Sequence, residues 1–236
     1  MKKLFLVLSV GLLFLSGCVQ HESIVETNPI GKVYEDSITI RNMKLPLPEG
    51  KWAVVGRGSA YSNNYEEIVL NKIVDNRIHA AVFIVRDSPT NSYTGYNPSK
   101  NLNREDILHV AAEKDSGRGQ DGWYINHIRL GFSGSLSKAN KESLQYIKDH
   151  KLTVPGNFIE VGHILTGKYV GKKYLKYSLY LNPEIEGLKP AQSPEWGSSD
   201  WNILKINNYP EKVAYVENLK EDGGVFHNKL KKAFGD

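Results

Sequence analysis

The stretch Tyr65–Arg86, which reads YEEIVLNKIV, DN and RIHAAVFIVR, decides the fold of this chain of 236 residues. Two β-rich segments flank Asp75-Asn76, and Asp and Asn form tight turns because their side chains hydrogen-bond the nearby backbone. A two-residue connection predicts an antiparallel hairpin. Its second strand contains the run Ala80–Val85, which is apolar on both faces and therefore predicts a strand buried on both sides.

Other segments extend this hairpin into a sheet. Residues 51–56 and 123–132 are predicted to be single strands, and residues 158–166 and 172–181 a second hairpin. The last segment alternates, with leucines and Tyr177 on one face and mostly polar residues on the other. Tyr174 and Tyr180 lie on that polar face, where an aromatic ring is well suited to contact a ligand or partner.

Several segments are expected to be helical, including a short one that Asp200 caps. One begins at Ser137 and extends to about His150. Another follows Asn103, with an apolar face formed by Ile107, Leu108, Val110 and Ala111. A third begins at Pro210 and is expected to stop at Gly223-Gly224, with a short amphipathic segment beyond. Strands with inserted helices and a helical C-terminus indicate an α+β fold, an antiparallel β-sheet with helices packed on one face.

The N-terminus carries a separate signal. The basic pair Lys2-Lys3 precedes an apolar run over residues 4–15, which leads into Leu15-Ser16-Gly17-Cys18. The run is too short to span a bilayer core, which needs about 20 apolar residues. This layout resembles the lipobox of bacterial lipoproteins, and the resemblance covers residues 1–18.

The resemblance divides the chain into a signal peptide (1–17), a lipid anchor with a polar tether (18–35) and a single globular domain (36–236). It implies that Cys18 is lipidated and that the membrane is a partner. In such lipoproteins, an Asp directly after the cysteine commonly retains the protein at the inner membrane. This chain has Val19 at that position, so in a cell with two membranes we expect the protein at the periplasmic face of the outer membrane. The order of elements also resembles the PsbP-like α/β sandwich, which occurs in extracytoplasmic lipoproteins.

Composition excludes several classes. Cys18 is the only cysteine, so lipidation would leave no thiol for a disulfide, a zinc site or a nucleophile. Removing Lys2 and Lys3 from the 30 Lys+Arg leaves 28 against 26 Asp+Glu, a formal charge of +2. Such a balance gives no support to nucleic acid as a partner. The seven histidines show no metal-binding spacing, so neither a metal nor another cofactor is expected.

Motifs of catalysis are incomplete. Ser135-Leu136-Ser137-Lys138 matches S-x-x-K but lacks its partner motifs, and we interpret it as helix-capping serines beside a solvated lysine. The segment Gly131–Ser135 lacks the final glycine of G-x-S-x-G. Gly56-Arg57-Gly58 begins a dinucleotide-binding motif that the following residues do not complete.

The best candidate ligand site lies on one predicted strand. Trp123, His127 and Arg129 are separated by even numbers of residues and therefore share a face. Together they offer a stacking surface, a group that titrates near neutral pH and a planar hydrogen-bond donor. Alternatively, Trp123 is a core residue and Arg129 pairs with a neighbouring acid. His163 lies among apolar residues and is expected to be a core histidine.

Two functions remain open at this point. The favoured one is a non-catalytic binding or scaffolding domain of the cell envelope, with an envelope protein or glycan as its partner. The alternative is a hydrolase acting on cell-wall or exported material, because a site assembled from distant segments leaves no local motif.

Overall fold

The computed structural model describes residues 24–40, 43–60, 65–87, 102, 106–113, 121–129, 136–166, 174–193 and 197–235. Ten strands are present in this part of the chain: β1 (Val33–Tyr34), β2 (Ser37–Ile40), β3 (Met43–Pro46), β4 (Trp52–Ala60), β5 (Tyr65–Val74), β6 (Arg77–Asp87), β7 (His109–Glu113), β8 (Asp121–Arg129), β9 (Asn157–Thr166) and β10 (Tyr174–Leu181). The helices are α1 (Ile24–Thr27), α2 (Lys138–Asp149) and α3 (Pro210–Phe234), with 3₁₀ turns at Pro183–Glu186 and Ile206–Asn208.

The predicted central hairpin is confirmed. β5 and β6 pair antiparallel up to Val74 opposite Arg77. Asp75 and Asn76 have φ angles of 49° and 56°. Two successive left-handed residues form the turn whose twist matches that of a hairpin. β6 lies between β5 and β10, and Val82 is 0% exposed, so the run Ala80–Val85 belongs to a central strand.

Eight strands form one antiparallel sheet in the order β1-β4-β5-β6-β10-β9-β8-β7, and β2 pairs with β3 in a separate hairpin. The predicted hairpin over residues 158–166 and 172–181 is confirmed as β9 and β10. The α+β class, with an antiparallel sheet and a helical C-terminus, is confirmed as well.

Helices lie on both faces of the sheet rather than on one. The face that includes Val82, Tyr177 and His163, termed the α3 face, is covered by α3, α1 and the β2–β3 hairpin. The opposite face, termed the α2 face, includes Val69 and packs against α2 at Ala139. Alternating side chains on β5 and β6 are apolar on both faces, so each face needs its own cover.

Two helix predictions are wrong. The segment after Asn103, expected to be helical, contains strand β7, whose residues His109–Glu113 pair with β8 at the edge of the sheet. Asn103 itself lies outside the described residues. Gly223-Gly224 does not end a helix, because α3 continues through both glycines to Phe234. A Cβ atom at Gly223 would lie 2.7 Å from Cζ3 of Trp123, so this glycine permits close packing of α3 on the sheet.

The expected tether is also corrected over residues 24–35. Ile24 and Asn28 are both 0% exposed, and Val33 pairs with Ala53 of β4, so this segment is part of the folded structure. Residues 18–23, including Cys18, lie outside the described residues. Within the ranges described, none of the helices has the length and hydropathy needed to cross a membrane.

Candidate functional site

Trp123 and His127 share the α3 face, as the sequence predicted, and both are buried there. Trp123 is 7% exposed, and its ring centroid lies 4.6 Å from that of His109 and 6.3 Å from that of His163. Gly223 of α3 lies directly against the Trp123 ring. This ring is therefore enclosed between the sheet and α3, the arrangement that the core alternative anticipated.

His127 lies under the segment that precedes α3. It is 5% exposed, and its ring is stacked on Trp201 with centroids 6.3 Å apart. Burial lowers the pKa of His127 to about 4, with Asp200 acting to raise it and Lys212 to lower it. The backbone of Arg129 pairs with Asn157, and its side chain is outside the described part of the chain. The predicted ligand site thus coincides with a buried part of the α3 face.

His163 connects the sheet to α3 through a chain of polar contacts. It is 1% exposed, which confirms the predicted core histidine, and its Nδ1 lies 3.2 Å from Nδ1 of His227. His227 Nε2 lies 2.6 Å from Oδ1 of Asp121, and Lys231 pairs with Oδ2 of the same carboxylate. Burial, and then the charge of His227, lower the pKa of His163 well below its usual value.

The Asp121 carboxylate contacts two side chains of α3, the imidazole of His227 and the ammonium of Lys231. Burial alone would raise its pKa, but hydrogen bonds from His227 and Lys231 outweigh that effect and lower it. The contacts join the start of β8 to the last three turns of α3. We interpret this cluster as the means by which α3 is held on the sheet.

The incomplete motifs have structural roles. Ser137 is the N-cap of α2, and its side chain accepts a hydrogen bond from the backbone N–H of Asn140, as the capping interpretation predicted. Ser135 and residues 131–134 lie outside the described residues. At Gly56 a Cβ atom would lie 2.1 Å from the carbonyl oxygen of Ala139, and Gly58 approaches Lys138 similarly. The Gly-Arg-Gly string therefore lets α2 pack on β4.

The α2 face contains a groove of about 640 Å³ between α2, the sheet and residues 154–156. We term it the α2 groove. Its floor crosses β5, β6, β10, β9 and β8, a width of about 19 Å for five strands at about 4.8 Å spacing. Volumes of roughly 300–1,000 Å³ are typical of small-molecule sites. Aliphatic and aromatic side chains form most of the lining, among them Phe83, Phe158, Leu144, Ile147 and Ile128.

A largely polar row of side chains begins in the floor of the groove, at Asn71, Ala81 and Tyr180, and continues beyond the groove. In register across the strands are Asn71, Ala81, Tyr180, Glu160 and Asn126. Tyr180 lines the groove, and its hydroxyl lies 3.4 Å from Oε1 of Glu160. Burial, and then the Glu160 carboxylate, raise the pKa of Tyr180 well above its usual value, so its hydroxyl keeps its proton. This proton is donated to the Glu160 carboxylate behind the groove.

The Glu160 carboxylate lies behind the floor of the groove and is surrounded by Tyr180, Tyr124 and Lys176. We term these four residues the Glu160 cluster. The Tyr124 hydroxyl donates to Oε1 at 2.9 Å, and Lys176 Nζ lies 3.8 Å from the same oxygen. Glycine is required opposite Tyr124, because a Cβ atom at Gly162 would lie 2.3 Å from Cζ of the Tyr124 ring. Glu160 is 3% exposed, so its partners compensate for the loss of water around the carboxylate.

Glu67 is a second buried acid on the same face, at 4% exposure. Burial raises its pKa, and the Ser137 hydroxyl and the Lys176 ammonium oppose that rise. None of Glu67, Glu160 and Asn71 is predicted from the sequence to be a site residue. For Glu160 a signal existed, because it is the one acid within the otherwise largely apolar segment Phe158–Leu165.

Comparisons with known proteins give no relative: no family model matches the chain, and neither a curated protein nor a solved structure is significantly similar to it. Among the described residues, no group of three or more His, Cys, Asp or Glu side chains is placed to hold a metal ion. The features of this chain that bear on function are therefore the α2 groove and the N-terminal sequence.

Proposed function

We propose that this protein is a lipid-anchored extracytoplasmic binding protein and that the α2 groove holds its ligand. The observation that carries the binding function is the groove itself, whose volume of about 640 Å³ and largely apolar lining suit an elongated hydrophobic molecule. Anchoring at Cys18 rests on the resemblance of residues 1–18 to a lipobox.

The floor strands favour a small molecule over an extended peptide as the ligand. β6, β10 and β9 each pair with a neighbour on both sides, so their backbone groups are already used within the sheet. A peptide that binds by strand addition needs an unpaired sheet edge. The floor instead offers side chains, including the rings of Phe83, Phe158 and Tyr180.

The alternative of a hydrolase receives less support from these contacts. Ser137 caps α2 on the α2 face, whereas the carboxylate–imidazole pair Asp121–His227 lies on the α3 face. The sheet separates these groups, so they do not form one catalytic site.

Groove binding is tested with diphenylhexatriene, an uncharged hydrocarbon whose fluorescence rises in apolar surroundings. We expect saturable binding to the purified full chain and a loss of affinity of tenfold or more in Ala81→Phe, which fills the floor. Val154→Trp changes the rim at a residue that is 37% exposed, and Val74→Trp is its control, because Val74 is 39% exposed and does not line the groove.

We expect Val154→Trp to weaken binding and Val74→Trp to leave it unchanged. Equal affinity of the wild type and all three variants would exclude the groove as the binding site. Thermal unfolding of each variant identifies any loss of binding that comes from a loss of fold.

The anchor is tested separately with Cys18→Ser. We expect the variant to leave the membrane fraction and to lack the lipid mass of the wild type. Membrane association with an unchanged mature mass would refute lipidation. In a cell with two membranes we expect the wild type in the outer membrane, and recovery in the inner membrane would refute only the sorting assignment.

A further inference from the structure

The charge of the groove lining limits the class of ligand. Within the described chain, the side chains that line the α2 groove include no acid and no base. In the same row of the sheet, Glu160 is paired with Lys176 and accepts from two tyrosine hydroxyls. A carboxylate or phosphate buried in the groove would lie among uncharged side chains and lose its hydration without a counter-ion.

Hydrogen-bonding side chains specify the ligand further. Asn71 lines the groove and is 2% exposed, and its Nδ2 donates no hydrogen bond to another described residue. A buried donor without a partner destabilises the protein, and a ligand acceptor that bonds to it recovers part of that cost. Asn140 and Ser143 of α2 line the groove as well and offer further polar contacts.

Tyr180 lies in the same row, but its single hydroxyl proton is donated to Glu160, so it leaves no free donor for a ligand. Its contact with Glu160, at 3.4 Å, is longer than the 2.9 Å contact of Tyr124 with the same oxygen. Ala81 of β6 is paired with Asn71 on one side and with Tyr180 on the other. Asn71 and Tyr180 are therefore two strand spacings, or about 10 Å, apart. The Asn71 amide is thus an unpaired donor in an apolar, uncharged groove, and it suits an acceptor group such as a carbonyl oxygen.

We propose that the α2 groove selects neutral, elongated hydrophobic molecules that carry a carbonyl acceptor, such as acyl esters or amides, over fatty acids and other anions. This inference rests on the proposed binding function and names the ligand class of the same site. The uncharged lining disfavours an anionic head, and the Asn71 amide distinguishes an ester from a plain hydrocarbon.

Displacement of diphenylhexatriene by methyl laurate, sodium laurate and dodecane at pH 8 tests the proposal on the full chain. We expect methyl laurate to compete at least tenfold better than laurate and several-fold better than dodecane. Equal competition by laurate and its ester would overturn the selection for neutral ligands. Failure of diphenylhexatriene to bind in the groove would instead refute the proposed function, so the two failures are distinguishable.

Asn71→Leu removes the donor at nearly constant volume. We expect it to weaken methyl laurate by about tenfold, the effect of one hydrogen bond to an otherwise unpaired group, while dodecane and diphenylhexatriene keep their affinities. Asn126→Leu is the matched control, because Asn126 is a buried amide in the same row, at 5% exposure, that does not line the groove. An ester preference unchanged in Asn71→Leu would refute the role of the amide.

Discussion

Two adjacent glycines of α3 predict opposite effects of the same substitution. In an ordinary helix, Gly→Ala stabilises by about 1 kcal/mol, because alanine loses less backbone entropy on folding. At Gly224 a new Cβ atom would lie 3.8 Å from Cζ2 of Trp123, an ordinary contact. At Gly223 it would lie 2.7 Å from Cζ3 of the same ring, closer than van der Waals contact allows.

The magnitude at Gly223 follows from the surroundings of Trp123. This side chain is 7% exposed and lies against His109 and His163, so the ring cannot move away without disturbing the sheet side of the core. Overpacking a core costs about 1–3 kcal/mol, which exceeds the helix-propensity gain of about 1 kcal/mol. We expect Gly223→Ala to destabilise by up to about 2 kcal/mol and Gly224→Ala to stabilise by up to about 1 kcal/mol.

Urea denaturation followed by Trp fluorescence measures both variants on one scale. For a domain of this size, a change of about 1 kcal/mol also shifts Tm by roughly 2–4 °C. Gly224→Ala is the matched control, since it shares the helix, the neighbours and the chemistry of the change. If Gly223→Ala is as stabilising as Gly224→Ala, then α3 does not cover Trp123, and the ring is again a candidate for ligand contact.

Two further predictions concern the sheet. Val82→Asp would bury an unpaired carboxylate in the centre of the α3 face, at a cost of several kcal/mol against a total stability of about 5–15 kcal/mol, so we expect an insoluble or proteolysed product. Val74→Asp, in the same hairpin at 39% exposure, should remain soluble, and a well-folded Val82→Asp protein would contradict the central position of β6. The second prediction concerns His127, whose pKa is about 4 in the folded state and 6.5 in the unfolded state. Between these pH values the unfolded state binds more protons than the folded state. The free energy of unfolding therefore falls by up to about 3 kcal/mol as the pH falls from 6.5 to 4. We expect His127→Phe to reduce this loss of unfolding free energy at low pH. His150→Phe is the control, because His150 is exposed, and it should not reduce the loss. Identical profiles of unfolding free energy against pH for His127→Phe and the wild type would show that His127 is not buried.

Elements whose signals are local could be predicted from the amino-acid sequence. The Asp75-Asn76 turn, the apolar run in β6 and the alternation in β10 predicted both hairpins, because turn chemistry and a period of two depend on neighbours in the chain. Ser137 as a helix cap follows for the same reason. These features were sufficient for the α+β class.

Features that depend on contacts between distant segments could not be predicted from the sequence and are seen only in the folded chain. Gly223 is a point of close approach because Trp123 lies opposite it, and His109–Glu113 is a strand because β8 offers an unpaired edge. The sequence grouped Trp123 with His127 on one face, but α3 covers that face. The α2 groove could not be predicted from spacing, because its wall and floor come from a helix and five strands that meet only in the folded chain.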